Sequence, residues 1–274
     1  MASIKARPAL TLLFSLGLLT CAPADSSPGE SGASEVAPTA GNRLIELLEA
    51  GLPVFGLVSG EKTPESGATM GRTLLTDYVF YSLESGPFDM LAMEAYITGM
   101  TEAAGTAGAH PVMLRIPPIR VDREAAVEHV RAGLDAGAVA IAFPHLESAE
   151  DVQLAASAIG DRLWPANPNG DVLNIVMIED QAAVEAVREI VSTPGVSVVL
   201  PGPGDLSTAY DGDAEAVENA IQTVLLACKE FNIPCMITGN SDDVADRLEQ
   251  GFELFLLTEP SALATGLAAA GRSN

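Results

Sequence analysis

The chain has 274 residues, 48% of them hydrophobic, which suffices for one sizeable core. Its 14 Lys and Arg against 37 Asp and Glu give a formal charge of −23, which excludes a protein that tracks a nucleic-acid backbone or an anionic membrane surface. The apolar content excludes intrinsic disorder, and the low aromatic share, 5%, suits layered strands and helices better than an all-β sandwich.

The amino terminus reads as a processing segment. Lys5 and Arg7 precede an apolar run at 9–20, too short to span a bilayer and of signal-peptide length. Ala22-Pro23-Ala24 offers a cleavage site, so that 1–24 would be removed and an exported protein, periplasmic or secreted, would start at Asp25. Leu18-Leu19-Thr20-Cys21 offers the competing reading, a lipid anchor on Cys21. Residues 25–41 are rich in Ser, Gly, Pro and Glu and read as a flexible linker. The folded domain is expected over 42–274.

Asn42 is the expected N-cap of a helix over 42–50 that Gly51 ends. Eight short apolar runs follow, at 53–58, 77–83, 111–116, 138–143, 172–178, 196–200, 234–238 and 252–257. Helical patterns at 88–104, 122–136, 148–159, 181–191, 213–231, 241–250 and 260–270 separate most of them. Runs this uniformly apolar belong to strands buried on both faces, hence to a parallel sheet. Strand–helix alternation repeated eight times fits an α/β fold of the (β/α)8 TIM-barrel type. A doubly wound open sheet is the alternative. The turn Ser59–Pro64 after the first strand has neither dinucleotide-binding nor P-loop spacing. Cys228 and Cys235 read as two buried free thiols, and no Cys/His cluster has zinc spacing.

In a barrel the carboxyl ends of the strands carry the chemistry. Those positions hold Glu84, Arg115, His145, Glu179, Asp180 and the turn Gly202–Asp205. Glu179 and Asp205 end neighbouring strands, and two carboxylates with open positions suit Mg2+ or Mn2+. Arg115 has the planar fork to hold a carboxylate or keto oxygen, or to neutralise Glu84 or Glu179. The Gly202–Asp205 turn exposes backbone N–H groups suited to an anionic substrate. A Schiff-base mechanism needs a lysine in the mouth. Of Lys5, Lys62 and Lys229 only Lys62, in the first loop, is near a strand end. His110 precedes the third strand, on the far side, and His129 falls within a helix, leaving His145. No Gly-x-Ser-x-Gly elbow occurs.

Three segments carry a family resemblance: DYVFYSLESGPFD at 77–89, the stretch 111–147 that includes GLDAGAVAIAFPHLE, and IEDQAAVEAVREIVSTPGVSVVLPGPGDLS at 178–207. The last is the most specific, an acidic residue closing one strand followed by Gly-Pro-x-Asp-Leu-Ser after the next. With the N-terminal helix and first strand they make the chain, over about 42–260, resemble the metal-dependent pyruvate aldolase and citrate-lyase superfamily of HpcH/HpaI type. That resemblance implies a (β/α)8 barrel, commonly hexameric, and so a homo-oligomer. It implies a divalent metal, Mg2+, Mn2+ or Co2+, and cleavage of 2-keto-acid aldols or of CoA thioesters. It makes Glu179 and Asp205 the metal ligands, Arg115 the group facing the enolate oxygen, and the Gly204 and Asp205 amides the holders of the substrate carboxylate. The aldolase branch usually carries Glu-His-x-Pro after the second strand, with an Asp two residues before that Glu. Here Ser85 stands in place of the His and Ser82 in place of the Asp. The 160–171 segment also lacks the usual Arg-Gly loop.

The resulting expectation is a metal-dependent carbon–carbon lyase of aldolase type acting on a small 2-keto acid or related carboxylate. Its base would be His145, Glu84 or a water on the metal. The alternatives are an exported barrel that binds carboxylate and metal without turnover, and a surface-anchored domain with no ligand.

Overall fold

The structure is a computed structural model and describes residues 42–272. The expected signal segment at 1–24, the expected linker at 25–41 and Cys21 lie outside the described residues.

All eight apolar runs form strands: β1 Val54–Val58, β2 Tyr78–Ser82, β3 Val112–Arg115, β4 Ala138–Phe143, β5 Val172–Ile178, β6 Val198–Pro201, β7 Met236–Gly239 and β8 Leu254–Leu257. Each pairs in parallel with the next, and β1 pairs with β8. The joint between β6 and β7 is a single parallel bridge, Val199 to Cys235. These contacts close a (β/α)8 barrel. A two-residue strand, Leu163–Trp164, pairs in parallel with the start of β5.

The period of two along each strand sorts the core into two layers. Even positions of β2, such as Tyr78 and Phe80, and odd positions of β5, Leu173, Ile175 and Met177, fill the barrel interior. Their neighbours, such as Val79, Tyr81, Val176 and Ile178, face the helices. The interior interlocks large and small groups. A Cβ at Gly56 would lie 2.2 Å from the Tyr78 ring, so only glycine leaves room for it. The Tyr78 hydroxyl in turn donates to the Phe255 carbonyl at 3.0 Å.

Helix α1, Arg43–Glu49, is capped by Asn42 as expected, the side chain accepting from the Leu44 amide. Its Leu44, Ile45, Leu47 and Leu48 belong to the barrel-interior cluster, so α1 plugs the end where the strands begin. Around the barrel run α2 Pro64–Gly71, α3 Met90–Ala104, α4 Arg123–Asp135, α5 Ala149–Ile159, α6 Gln181–Glu185, α7 Val187–Val191, α8 Pro203–Ala209, α9 Ala214–Phe231, α10 Val244–Gln250 and α11 Pro260–Ala269. The helix expected over 181–191 is thus two short ones that meet at Ala186, whose φ −90° and ψ 3° fall outside the helical well. Helices α2 and α8 have no counterpart in the sequence expectations. Cys228 and Cys235 are buried free thiols, as expected. Among the described residues no helix is long and apolar enough to cross a membrane.

A buried ion pair ties the chain's last described turn to the barrel. Arg272 bonds both carboxylate oxygens of Asp77, at 2.6 and 2.8 Å, and the Pro53 carbonyl at 2.6 Å. Asp77, 5% exposed, also accepts from the Phe55 amide at 2.9 Å. Removing the cation would leave a desolvated carboxylate between β1 and β2. Arg272→Met should therefore cost about 3 kcal/mol of stability, read from urea denaturation. A loss well under 1 kcal/mol would show that the pair is in effect solvated.

Candidate active site at the carboxyl ends of the strands

The alternation that fills the barrel continues past its upper rim. In β5 the inward series Leu173, Ile175, Met177 leads to Glu179; in β2 the series Tyr78, Phe80 leads to Ser82 and Glu84. In β3 Met113 leads to Arg115, and in β6 Val198 and Leu200 lead to Gly202. The rim residues Ser82, Glu84, Arg115, Glu179 and Gly202 line one cavity of about 570 Å³, floored by Phe80, Met177, Leu200 and Leu256 and shared with Lys62, Gly204 and Asp205.

Glu179 is the most desolvated charge-bearing group of the site, 1% exposed. Burial pushes its carboxyl up from the ordinary 4.5 to about 7, and the neighbouring carboxylates of Asp205 and Glu84 push the same way. The His145 amide, donating to Glu179 Oε2 at 3.0 Å, opposes the rise. His145 makes that bond from a left-handed backbone, φ 53°, a conformation that few residues other than glycine adopt. Gly202 completes the wall, because a Cβ there would fall 2.6 Å from Glu179 Oε1.

Arg115 is held from three sides. Its Nε donates to Ser82 Oγ at 2.9 Å, a guanidinium NH2 group pairs with Glu84 Oε2 at 2.8 Å, and the guanidinium carbon lies 5.5 Å from the centre of the Phe80 ring. The parallel register sets Ser82 directly beside Arg115. Ser82, which stands where the resembled family has an Asp, here orients the arginine.

His145 Nδ1 lies 3.0 Å from Asp180 Oδ2, while Nε2 faces Glu84 Oε1 at 3.9 Å. A carboxylate at Nδ1 favours the tautomer protonated there and leaves Nε2 as the acceptor on the Glu84 side. Asp180 occupies the N-cap position of α6 but makes no side-chain cap bond, because its carboxylate turns to the histidine. It also meets Arg120 at 3.4 Å, which in turn pairs with Glu147. Beside Glu179, Gly202 is the N-cap of α8 and Pro203 fills its first turn, so the Gly204 and Asp205 amides belong to the turn whose N–H groups have no intrahelical acceptor.

Every residue singled out in the sequence therefore reaches this end of the barrel: Glu84, Arg115, Glu179, Gly204 and Asp205 line the cavity, and His145 abuts Glu84 and Glu179. Ligand atoms of Glu84, His145 and Glu179 lie within 4.8 Å of one another, a grouping that differs from the Glu179 and Asp205 pair implied by the resemblance. Sequence reasoning did not assign roles to Asp180, Ser59 or Thr238. Thr238 sits at a strand end on the inward parity, the signal that would have found it, whereas Ser59 follows the helix-facing parity of β1 and carries no such signal. His110 lies at the opposite end of the barrel beside Asp77, and His129 stacks on Phe88 at 3.9 Å between ring centres.

Two outcomes follow from the packing around Glu179. Gly202→Ala should displace the carboxylate and weaken Mn2+ binding about tenfold or more in a paramagnetic titration, with far-UV circular dichroism unchanged. Unchanged Mn2+ affinity would show that the wall can yield. The folded pKa of about 7 lies above the ordinary 4.5, so Glu179 stabilises the metal-free fold fully below pH 4.5 and loses that contribution as the pH rises through 7. Metal-free Glu179→Gln should melt above the unmodified protein at pH 8 and level with it at pH 4.5. Parallel melting curves at both pH values would contradict the burial.

The HpcH/HpaI aldolase/citrate lyase family model matches residues 75–257, more than half of the chain. A 2-dehydro-3,6-dideoxy-6-sulfogluconate aldolase of Pseudomonas putida is 28% identical over 187 residues, 59% of this chain and 71% of that protein. A hydroxypyruvate/pyruvate aldolase of Paraburkholderia phytofirmans is 27% identical over 223 residues, 70% of this chain and 81% of that one. The crystal structure of a family protein from Burkholderia cenocepacia superposes with a TM-score of 0.68 at 21% identity, covering 84% of this chain and 97% of that one. The chain belongs to the HpcH/HpaI aldolase/citrate lyase family.

Proposed function

We propose that the protein is a metal-dependent carbon–carbon lyase that cleaves or forms aldols of a small 2-keto acid. The observation that carries this reading is the buried Glu179 carboxylate, set beside Asp205 and across the cavity mouth from a fixed Arg115. Relatives named for hydroxypyruvate and pyruvate and for a 2-dehydro sugar acid support the substrate class.

The donor set fits a hard divalent cation. Glu84 already has Arg115 as its counter-charge, whereas the Asp205 carboxylate adds to the cost of the buried Glu179. Glu179 and Asp205 would hold the ion, Mg2+ or Mn2+, with Co2+ also compatible. Such an ion supplies Lewis-acid polarisation of the 2-keto carbonyl.

The chain's own groups do the rest. The Gly204 and Asp205 amides take the substrate carboxylate. His145 Nε2, oriented through Asp180, accepts the proton of the aldol hydroxyl and Glu84 shares its load. As the carbon–carbon bond breaks, its electron pair moves into the 2-keto oxygen, where the Arg115 guanidinium faces the growing charge. Ser82 and Glu84 keep that guanidinium from rotating away. In this reading the proton-handling histidine comes from the loop after β4, which offsets the Ser at position 85.

The test is deuterium exchange into the pyruvate methyl group, followed by proton NMR in D2O with Mg2+ or Mn2+. Metal-dependent exchange is expected, cut about 100-fold by Arg115→Lys, which keeps the charge but loses the fork. Exchange that survives Arg115→Lys intact would contradict the role of the arginine. Pyruvate binding with no exchange in the unmodified protein would replace turnover by a binding role, the reading that the Ser82 and Ser85 substitutions favour.

A further inference from the structure

We infer that Cys228 and Cys235 form a structural disulfide when the chain folds in contact with a disulfide oxidant, and that this bond staples the barrel joint between β6 and β7. The inference is independent of the aldolase reading, because the bond lies at the end where the strands begin, opposite the candidate active site.

The described residues hold two cysteines, and the fold brings both to one spot. Cys228 sits in the last turn of α9, Cys235 immediately precedes β7, and each is 1% exposed. Between them the chain reverses tightly. Asn232 takes the left-handed cap position, φ 55°, and the Ile233 amide returns to the Cys228 carbonyl at 2.9 Å. Cys235 is fixed from the other side, its carbonyl accepting from the Glu253 and Leu254 amides at 2.8 and 3.2 Å. Burial pushes the Cys235 thiol well above its ordinary pKa, and the Cys228 thiol beside it pushes the same way. A cavity of about 430 Å³ reaches both cysteines.

The joint gives the pair its use. The other neighbouring strands of the barrel share ladders of three or four residue pairs. Strands β6 and β7 share a single bridge, and its β7 side is Cys235 itself, opposite Val199. Helix α9 packs over β6. A bond from Cys235 to Cys228 therefore ties the start of β7 to the helix that lies on β6, and adds a covalent link where the ladder is thinnest.

The reaction balances with an oxidant of the glutathione-disulfide class. One cysteine thiolate attacks a sulfur of the oxidant, a mixed disulfide forms, and a glutathione thiolate leaves and takes up the proton. The other cysteine thiolate attacks the protein sulfur of that mixed disulfide, the Cys228–Cys235 bond forms, and a second glutathione leaves with the second proton. Two protein thiols are oxidised and one small disulfide is reduced to two thiols. Both thiols of the finished fold are buried, and Cys235 is weakly acidic, so they are poor nucleophiles and the step belongs to folding, before the core closes. The export segment expected at 1–24 would bring the chain to a compartment that supplies such oxidants.

The test refolds the full chain from urea in a buffer of oxidised and reduced glutathione and maps it by mass spectrometry without reduction. Trypsin cuts after Lys229, so the two cysteines fall on separate peptides and Cys21 on a third. The expected product is the Cys228 and Cys235 peptides joined, lighter than their sum by two hydrogens. The oxidised protein should melt about 5 °C or more above the reduced one. Cys228→Ala combined with Cys235→Ala should melt at the same temperature with and without reductant. Free thiols, glutathione retained on both cysteines, or links from either to Cys21 would overturn the bond. A joined pair whose reduction leaves the melting temperature unchanged, or a reductant effect that persists in the double variant, would overturn the stapling of the joint.

Discussion

A desolvated carboxylate at the top of β5 organises this end of the molecule. Glu179 stands on the inward face because the strand beneath it alternates without interruption, and it is buried because Gly202 lets the next strand's turn close over it. Burial of a carboxylate with two acidic neighbours is unfavourable unless positive charge or hydrogen bonds answer it. One answer is visible, the amide of His145, obtained at the expense of a left-handed backbone. A bound divalent cation is the other.

The remaining charges are partitioned so that they do not cancel Glu179. Arg115 belongs to Glu84 and Ser82; His145 belongs to Asp180; Asp180 in turn reaches Arg120. The Arg115–Glu84 and His145–Asp180 pairs each cross between neighbouring strand ends, so the barrel's register, more than any single loop, sets those distances. Lys62 stands outside these pairings, on the opposite rim. The arrangement leaves a negative side that fits a cation above an apolar floor.

Much of this was legible in the sequence, for a physical reason. Strands buried on both faces read as unbroken apolar runs, and the same period of two carries one residue past each run into the mouth. That is why Glu179, Arg115 and Glu84 could be named from their positions alone. What failed to show were elements without such a signature. Helix α2 is PESGATMG, whose glycines and serine read as loop, and α8 grows out of PGPGDLS, which reads as a turn. The break between α6 and α7 leaves the helical period intact and so hides at Ala186. Asp180 was masked by its place at a helix start, where an acidic residue needs no further explanation. Its partner His145 stands 35 residues earlier, at the end of the neighbouring strand β4, and only the sheet brings the two together.

The most direct measurement is anomalous diffraction at the manganese edge from crystals grown with Mn2+. A single peak shared by the Glu179 and Asp205 carboxylates, with Glu84 still paired to Arg115, is the expected result. No peak at Glu179, or a peak held by Glu84 and His145 with Asp205 uninvolved, would contradict the assignment of the buried carboxylate as half of a metal-binding pair.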